Sequence, residues 1–180
     1  MESGHRGDLW LDLEVLFLRP GRVQPFAAEL AKRLSTLLVD AVCAPLVEGA
    51  FVGLMVASEL GVDFSYSEPF SQPAEDGLFP VAYRIPAVLE SSLRNKRVAI
   101  VSDVVNAGSA IRGTFAALVA CGATPVAIGA LLVLGTAASQ FAASRELALQ
   151  SVAALPNSLW VPAECPLCAA AIALETRVVR

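Results

Sequence analysis

The stretch VAIVSDVVNAGSAIRGT, residues 98–114, joins an apolar run, a lone carboxylate, a turn of small residues and the start of a second apolar segment. The continuous apolar run reads as a strand buried on both faces. Residues 109–123, SAIRGTFAALVACGA, read as a helix closed by Gly122. In an open parallel sheet, ligands bind beyond the carboxyl ends of the strands, and Asp103 stands at that end. The turn NAGSA, 106–110, lets several backbone N–H groups at the helix start converge on an anion, for which a phosphate is the natural candidate. A carboxylate beside such a cradle suits a sugar phosphate, because Asp103 accepts hydrogen bonds from vicinal hydroxyls while the helix start holds the phosphate. A motif this short also fits an ordinary tight strand-to-helix turn.

Outward from this unit, strands and helices alternate. VDAVCAPL (39–46) is a β-branched run ended by proline and reads as a strand; EGAFVGLMVASELG (48–61) has helical spacing and stops at Gly61. VDFSYS (62–67) and LFPVAYRI (78–85) read as paired strands flanking a polar loop, 68–77, of the kind that often carries function. A helical linker (86–95), a strand (96–102), a further strand PVAIGALLVLG (125–135) and a helix (136–150) complete the series. At the N-terminus, 8–21 and 25–38 read as two helices separated by Pro20-Gly21. The alternation predicts an α/β fold: a three-layer, doubly wound, mainly parallel sheet with an N-terminal helical cap. At 180 residues the chain suits one domain over 1–180, divided into a cap (1–35), an α/β core (36–155) and a tail (156–180).

Bulk composition narrows the function classes. The net charge is −4 and the basic residues are scattered, which argues against nucleic acid as a partner. Hydrophobic residues make up 56% and charged ones 17% of the chain, against usual values of about 45–50% and about 25%. Either the core is very fully buried or a partner covers apolar surface. The longest apolar runs fall short of the ~18 residues a membrane span needs, and the N-terminus lacks the apolar region of a signal peptide. The expectation is a cytoplasmic protein without a membrane partner. Cysteines 43, 121, 165 and 168 then read as free thiols rather than a disulfide framework.

Here the residues carry a resemblance. VAIVSDVVNAGSA resembles the phosphoribosyl-pyrophosphate motif of type I phosphoribosyltransferases, in which a strand ends in two acids, two hydrophobics and a Thr-Thr-Gly-Gly-Thr type loop. The orotate phosphoribosyltransferase branch is the most similar. VDAVCAPLVEGAFVG resembles the pyrophosphate-loop segment, FSYSEPF the start of the catalytic loop, and SLWVPAECPLCAAAIALE a tail of some orotate-type members. The resemblance implies that Asp103 binds the ribose hydroxyls and stabilises positive charge at the anomeric carbon. It implies that Asn106, Ala107, Gly108, Ser109 and Ala110 hold the 5′-phosphate, and that Ala44, Pro45, Leu46 and Val47 line the pyrophosphate loop. Tyr66 and the loop 68–77 would lie near the base, and Mg2+ would arrive bound to phosphoribosyl pyrophosphate. The sequence departs from the pattern in four places: Ser102 replaces the first acid, Ala44 a glycine, Glu48 a small residue, and 68–77 holds no Lys, Arg or His. Arg84 is the nearest basic replacement.

Two activities follow as expectations. One is transfer of phosphoribose from phosphoribosyl pyrophosphate to orotate or a related pyrimidine base, giving orotidine monophosphate and pyrophosphate. The other is a non-catalytic protein of the same fold that binds a nucleotide or sugar phosphate. A plain nucleotide-binding domain is disfavoured, since no glycine-rich loop follows the first strand. The apolar excess and the reach of loop 68–77 toward a neighbouring subunit in the resembling family predict a homodimer through 48–60 and 62–85. Cys165 and Cys168 have the spacing of half a zinc site, whose best form would be two plus two ligands across a dimer, and a packed or surface turn is the simpler reading. His5 sits in the N-terminal segment away from the motif; Trp10 and Trp160 read as packing residues; Arg112 reads as a solvated helix residue within reach of a phosphate.

Overall fold

A computed structural model of the chain describes residues 6–9, 11, 13–71 and 81–173. The elements in chain order are β1 (Arg6–Gly7), α1 (Glu14–Phe17), α2 (Pro20–Leu34), β2 (Ala41–Pro45), α3 (Glu48–Leu60), β3 (Asp63–Ser71), β4 (Val81–Arg84), α4 (Ala87–Leu93), β5 (Arg97–Val105), α5 (Ser109–Ala120), β6 (Thr124–Leu134), α6 (Ala137–Ser144), β7 (Ala148–Leu155), β8 (Leu159–Trp160) and α7 (Pro166–Ala169). Six strands form one sheet in the order β4-β3-β2-β5-β6-β7, parallel throughout except for the antiparallel β3–β4 edge. Among the described residues, no helix is long and apolar enough to cross a membrane.

The sheet is covered on both faces, as its central strands require. β5 shows this residue by residue: Val98 and Ile100 join a cluster with Leu93, Ile111 and Leu118, while Ala99 and Val101 join one with Val23, Leu30, Leu34, Val52 and Val56. Alternation of side chains along a strand feeds both layers at once. Val23, Ala27, Leu30 and Leu34 recur at helical spacing, form the fully buried stripe of α2 and seat it on the sheet beside Gly129. On the opposite layer, α5 approaches β4 so closely that a Cβ at Gly113 would stand 2.4 Å from Tyr83 Cδ2. Gly113→Ala is therefore expected to lose roughly 2 kcal/mol despite the better helix former, about 4–8 °C in Tm. A thermal melt of the variant that matches the parent would contradict this contact.

Several boundaries differ from the sequence reading. Pro20-Gly21 does not separate two helices: Pro20 is the first residue of α2, where its missing N–H costs no hydrogen bond. The helix expected over 8–21 is reduced to the single turn α1, and the helix over 136–150 ends at Ser144. Residues 148–155 form β7, an edge strand absent from the sequence reading. Within the tail, β8 pairs antiparallel with β1 in a separate two-stranded sheet. Most of the loop 68–77 lies outside the described residues, as do His5 and Trp10.

Candidate functional site

The chain runs from β2 to β3 on one side and returns through β5, β6 and β7 on the other, so the strand order reverses between β2 and β5. A crevice beyond the carboxyl ends of these two strands is the expected ligand position in such a sheet. Two loops meet there. β2 ends at Pro45, and Leu46 N–H donates to Ser67 O on β3 at 2.9 Å; a cis peptide joins Leu46 to Val47, and α3 then begins at Glu48. A Cβ on Gly49 would lie 3.3 Å from both Pro45 and Ser102 Oγ, so the loop after β2 sits directly against the end of β5. Ala44 and Pro45 are buried in the strand, Leu46 is half-buried and Val47 is exposed.

At the end of β5, Ser102 is buried and Asp103 half-buried. Ser102 Oγ donates to Asp103 Oδ1 at 3.2 Å and lies 3.5 Å from Val104 O. The serine thus orients the single carboxylate instead of adding a second charge. Beyond Val105 the turn runs through Asn106 and Ala107 to Gly108, which precedes α5 at φ +79°, a left-handed conformation that glycine adopts without penalty. The first N–H groups of α5, from Ser109 onward, have no intrahelical acceptors and carry the positive end of the helix dipole.

Two side chains brace this turn. Arg112 Nη1 donates to Ala107 O at 2.6 Å while its guanidinium lies 5.3 Å from the Phe141 ring centroid. Asn157 Nδ2 donates to Asn106 Oδ1 at 2.9 Å. Asn157 follows β7 and its carbonyl closes on Gly135, where an added Cβ would stand 2.6 Å away. Sequence reasoning missed Asn157 because it missed β7; Arg112 was legible as one turn beyond Gly108, but its fold back onto the turn was not.

The remaining predicted residues fall at the rim. Tyr66 pairs in register with Ala44 and is half-buried. Ser67 Oγ and Thr114 Oγ1 share a buried hydrogen bond of 2.6 Å that ties β3 to α5. Arg84 Nε donates to Glu68 Oε1 at 2.8 Å across the β3–β4 pair, and its guanidinium stands 5.5 Å from the Phe70 ring centroid. Arg84 is thus an ion-paired residue at the neck of the hairpin. Cys165 and Cys168 lie elsewhere, and among the described residues no group of three or more His, Cys, Asp or Glu side chains is placed to hold a metal. The Asp103 carboxylate and Ser102 hydroxyl are hard oxygen donors of the kind magnesium takes.

No family model matches the chain. It is 26% identical over 189 residues to the orotate phosphoribosyltransferase of Helicobacter pylori, covering 97% of this chain and 88% of that one. Among solved structures, the orotate phosphoribosyltransferase of Aeropyrum pernix superposes with a TM-score of 0.64 at 23% identity, over 86% of this chain and 84% of that one. The adenine phosphoribosyltransferase of Trypanosoma brucei, solved with AMP, pyrophosphate and ribose-5-phosphate, gives 0.66 at 17% identity, over 85% and 77%. The sequence likeness extends over nearly the whole chain, and the structural likeness shows the fold.

Proposed function

From the type I phosphoribosyltransferase fold of this chain, we propose that it is a phosphoribosyltransferase, with orotate as the base. It joins a base nitrogen to the anomeric carbon of phosphoribosyl pyrophosphate and releases pyrophosphate. The observation that carries this reading is the turn Asn106–Ala110 directly after Asp103, at the point where the strand order reverses. Orotate is favoured by sequence relatives bearing that name, while adenine enzymes among the structural neighbours make a purine the natural competitor.

In this reading the backbone of Asn106, Ala107, Gly108, Ser109 and Ala110 holds the 5′-phosphate. Asp103 accepts hydrogen bonds from the ribose hydroxyls, and its charge stabilises the cation developing at the anomeric carbon as the pyrophosphate bond lengthens. Ser102 holds the Asp103 carboxylate in place. Leu46 and Val47, in the loop that follows the buried Ala44 and Pro45, face the departing pyrophosphate, whose charge magnesium would neutralise when bound. Tyr66 borders the base. Arg84 serves the leaving group only by exchanging Glu68 for pyrophosphate, since its charge is already paired.

That pairing, with Ser102 in place of an acid, supports a second reading: binding of a sugar phosphate without turnover. The fall in orotate absorbance on adding phosphoribosyl pyrophosphate and magnesium separates the two, with adenine assayed in parallel. Orotate consumption matched by pyrophosphate release is expected. Consumption of adenine alone would move the base; tight binding with no turnover of either would select the non-catalytic reading.

Asn157 is proposed to hold Asn106 for phosphate binding. A single neutral hydrogen bond contributes ~1 kcal/mol, so Asn157→Ala is expected to raise KM for phosphoribosyl pyrophosphate about fivefold with little change in kcat. Steady-state kinetics with an unchanged KM would remove this role.

A cytoplasmic homodimer is part of the same proposal. On α3, Phe51 and Leu54 are 48% and 56% exposed, and the Phe17 ring packs 5.6 Å from Phe51. A second copy covering this face and the β3–β4 edge would bury the ~1,200–2,000 Å² of a stable pair. Light scattering is expected to give twice the 18.8 kDa chain mass; a concentration-independent monomer would refute it.

A further inference from the structure

Beyond β7 the chain carries two thiols that phosphoribosyl transfer does not use. The β1–β8 pairing sets Arg6 opposite Trp160 and brings it to the segment CPLC, 165–168. There Arg6 Nη1 donates to Cys168 Sγ at 2.6 Å, across 162 residues of sequence. Cys165 is 2% exposed and immediately precedes α7, whereas Cys168 is half-buried; both are free thiols. The Cys165 sulfur meets the backbone N–H groups of Cys168 and Leu167 and the side chain of Cys168. Burial pushes the Cys165 thiol up, but these hydrogen bonds and the Arg6 charge together leave it below its ordinary value. The pair is thus set with a cation against one sulfur and the two side chains in contact.

We propose that Cys165 and Cys168 form a redox-active dithiol whose oxidant is a small disulfide of the glutathione class, with Arg6 as its positioning residue. The more accessible Cys168 gives up its proton and attacks one sulfur of the disulfide, so that a mixed disulfide forms and the first small thiolate departs and takes up that proton. Cys165 then gives up its proton and attacks the Cys168 sulfur; the mixed disulfide breaks and the second small thiol leaves carrying it. Two protein thiols are oxidised to one internal disulfide, and one small disulfide is reduced to two thiols. Arg6 holds the Cys168 sulfur beside Cys165 and presents a cation to the sulfur anions formed along the way.

The same observation weighs against a structural zinc site. Such a site takes four ligands, the described residues offer no third at this place, and Cys168 Sγ already accepts from the Arg6 guanidinium.

The test uses the full, reduced chain, exposed to graded mixtures of reduced and oxidised glutathione with and without added zinc, then alkylated and peptide-mapped. An internal Cys165–Cys168 disulfide is expected to accumulate, while Cys43, fully buried, stays untouched. Arg6→Ala is expected to slow its formation about tenfold and Arg6→Lys to keep most of the rate. Because Arg6→Ala also disturbs the β1–β8 pair, two further variants carry the mechanism. Cys165→Ser should trap glutathione on Cys168, and Cys168→Ser should leave the buried Cys165 unreactive. Glutathione remaining on Cys168 of the parent chain, Arg6→Ala reacting at the parental rate, glutathione captured by Cys165 alone, or one zinc per two chains shielding both thiols would each overturn the proposal.

Discussion

Asp103→Asn is expected to lower kcat/KM for phosphoribosyl pyrophosphate by about 100-fold or more, while moving Tm by no more than a few degrees. The asymmetry follows from where the residue sits. Asp103 is at the open end of β5 and only half-buried, so the isosteric amide still fills the space and still offers Oδ1 to the Ser102 hydroxyl. What disappears is the charge proposed to face the anomeric carbon. With Ser102 in place of a second acid, no neighbouring carboxylate in β5 compensates for that loss. Removing one preorganised electrostatic contact from a transition state typically costs about 10²–10³ in rate. Kinetics and a thermal melt on the same preparation check both halves; a strongly destabilised variant with parental kinetics would mean that the carboxylate serves the fold.

Gly108→Val is expected to abolish binding of the 5′-phosphate at the concentrations that saturate the parent. At φ +79° a β-branched residue is strained by ~1–3 kcal/mol. Relief of that strain rotates the very peptide groups that would point at the anion. The side chain has room within the protein, since the nearest atoms to a built Cβ, on Arg112 and Val105, are 3.7 and 3.8 Å away. The loss therefore falls on the ligand rather than on the core. Calorimetric titration with phosphoribosyl pyrophosphate and magnesium reads it directly, and parental affinity in the variant would place the phosphate elsewhere.

The reach of sequence reasoning tracks how local each feature is. β5, its turn and α5 were legible because a doubly buried strand is a continuous apolar run and a tight turn into a helix needs small residues. β7 was not, because ALQSVAAL (148–155) is built from alanine and leucine, is half-exposed at the sheet edge and has the composition of a helix. The stop before it is also concealed: Glu146 takes the positive φ of 56° where a glycine would have announced the end of α6. Pro20 was misread because proline ends one helix as readily as it opens another. The site divides in the same way. Asp103 and the turn are contiguous in sequence, whereas the Asn157 bond to Asn106 and the Arg6 bond to Cys168 join positions 51 and 162 residues apart. No local pattern encodes such partners.

The turn after Asp103 is the proposed seat of phosphoribosyl pyrophosphate in this chain. Backbone amide NMR of the labelled chain, titrated with phosphoribosyl pyrophosphate and magnesium, tests it most directly. Saturable shifts concentrated at Asp103 and residues 106–110 are expected, with smaller ones at Arg112, Asn157 and the loop 46–47. Shifts confined to another face of the sheet, or none at all, would contradict it.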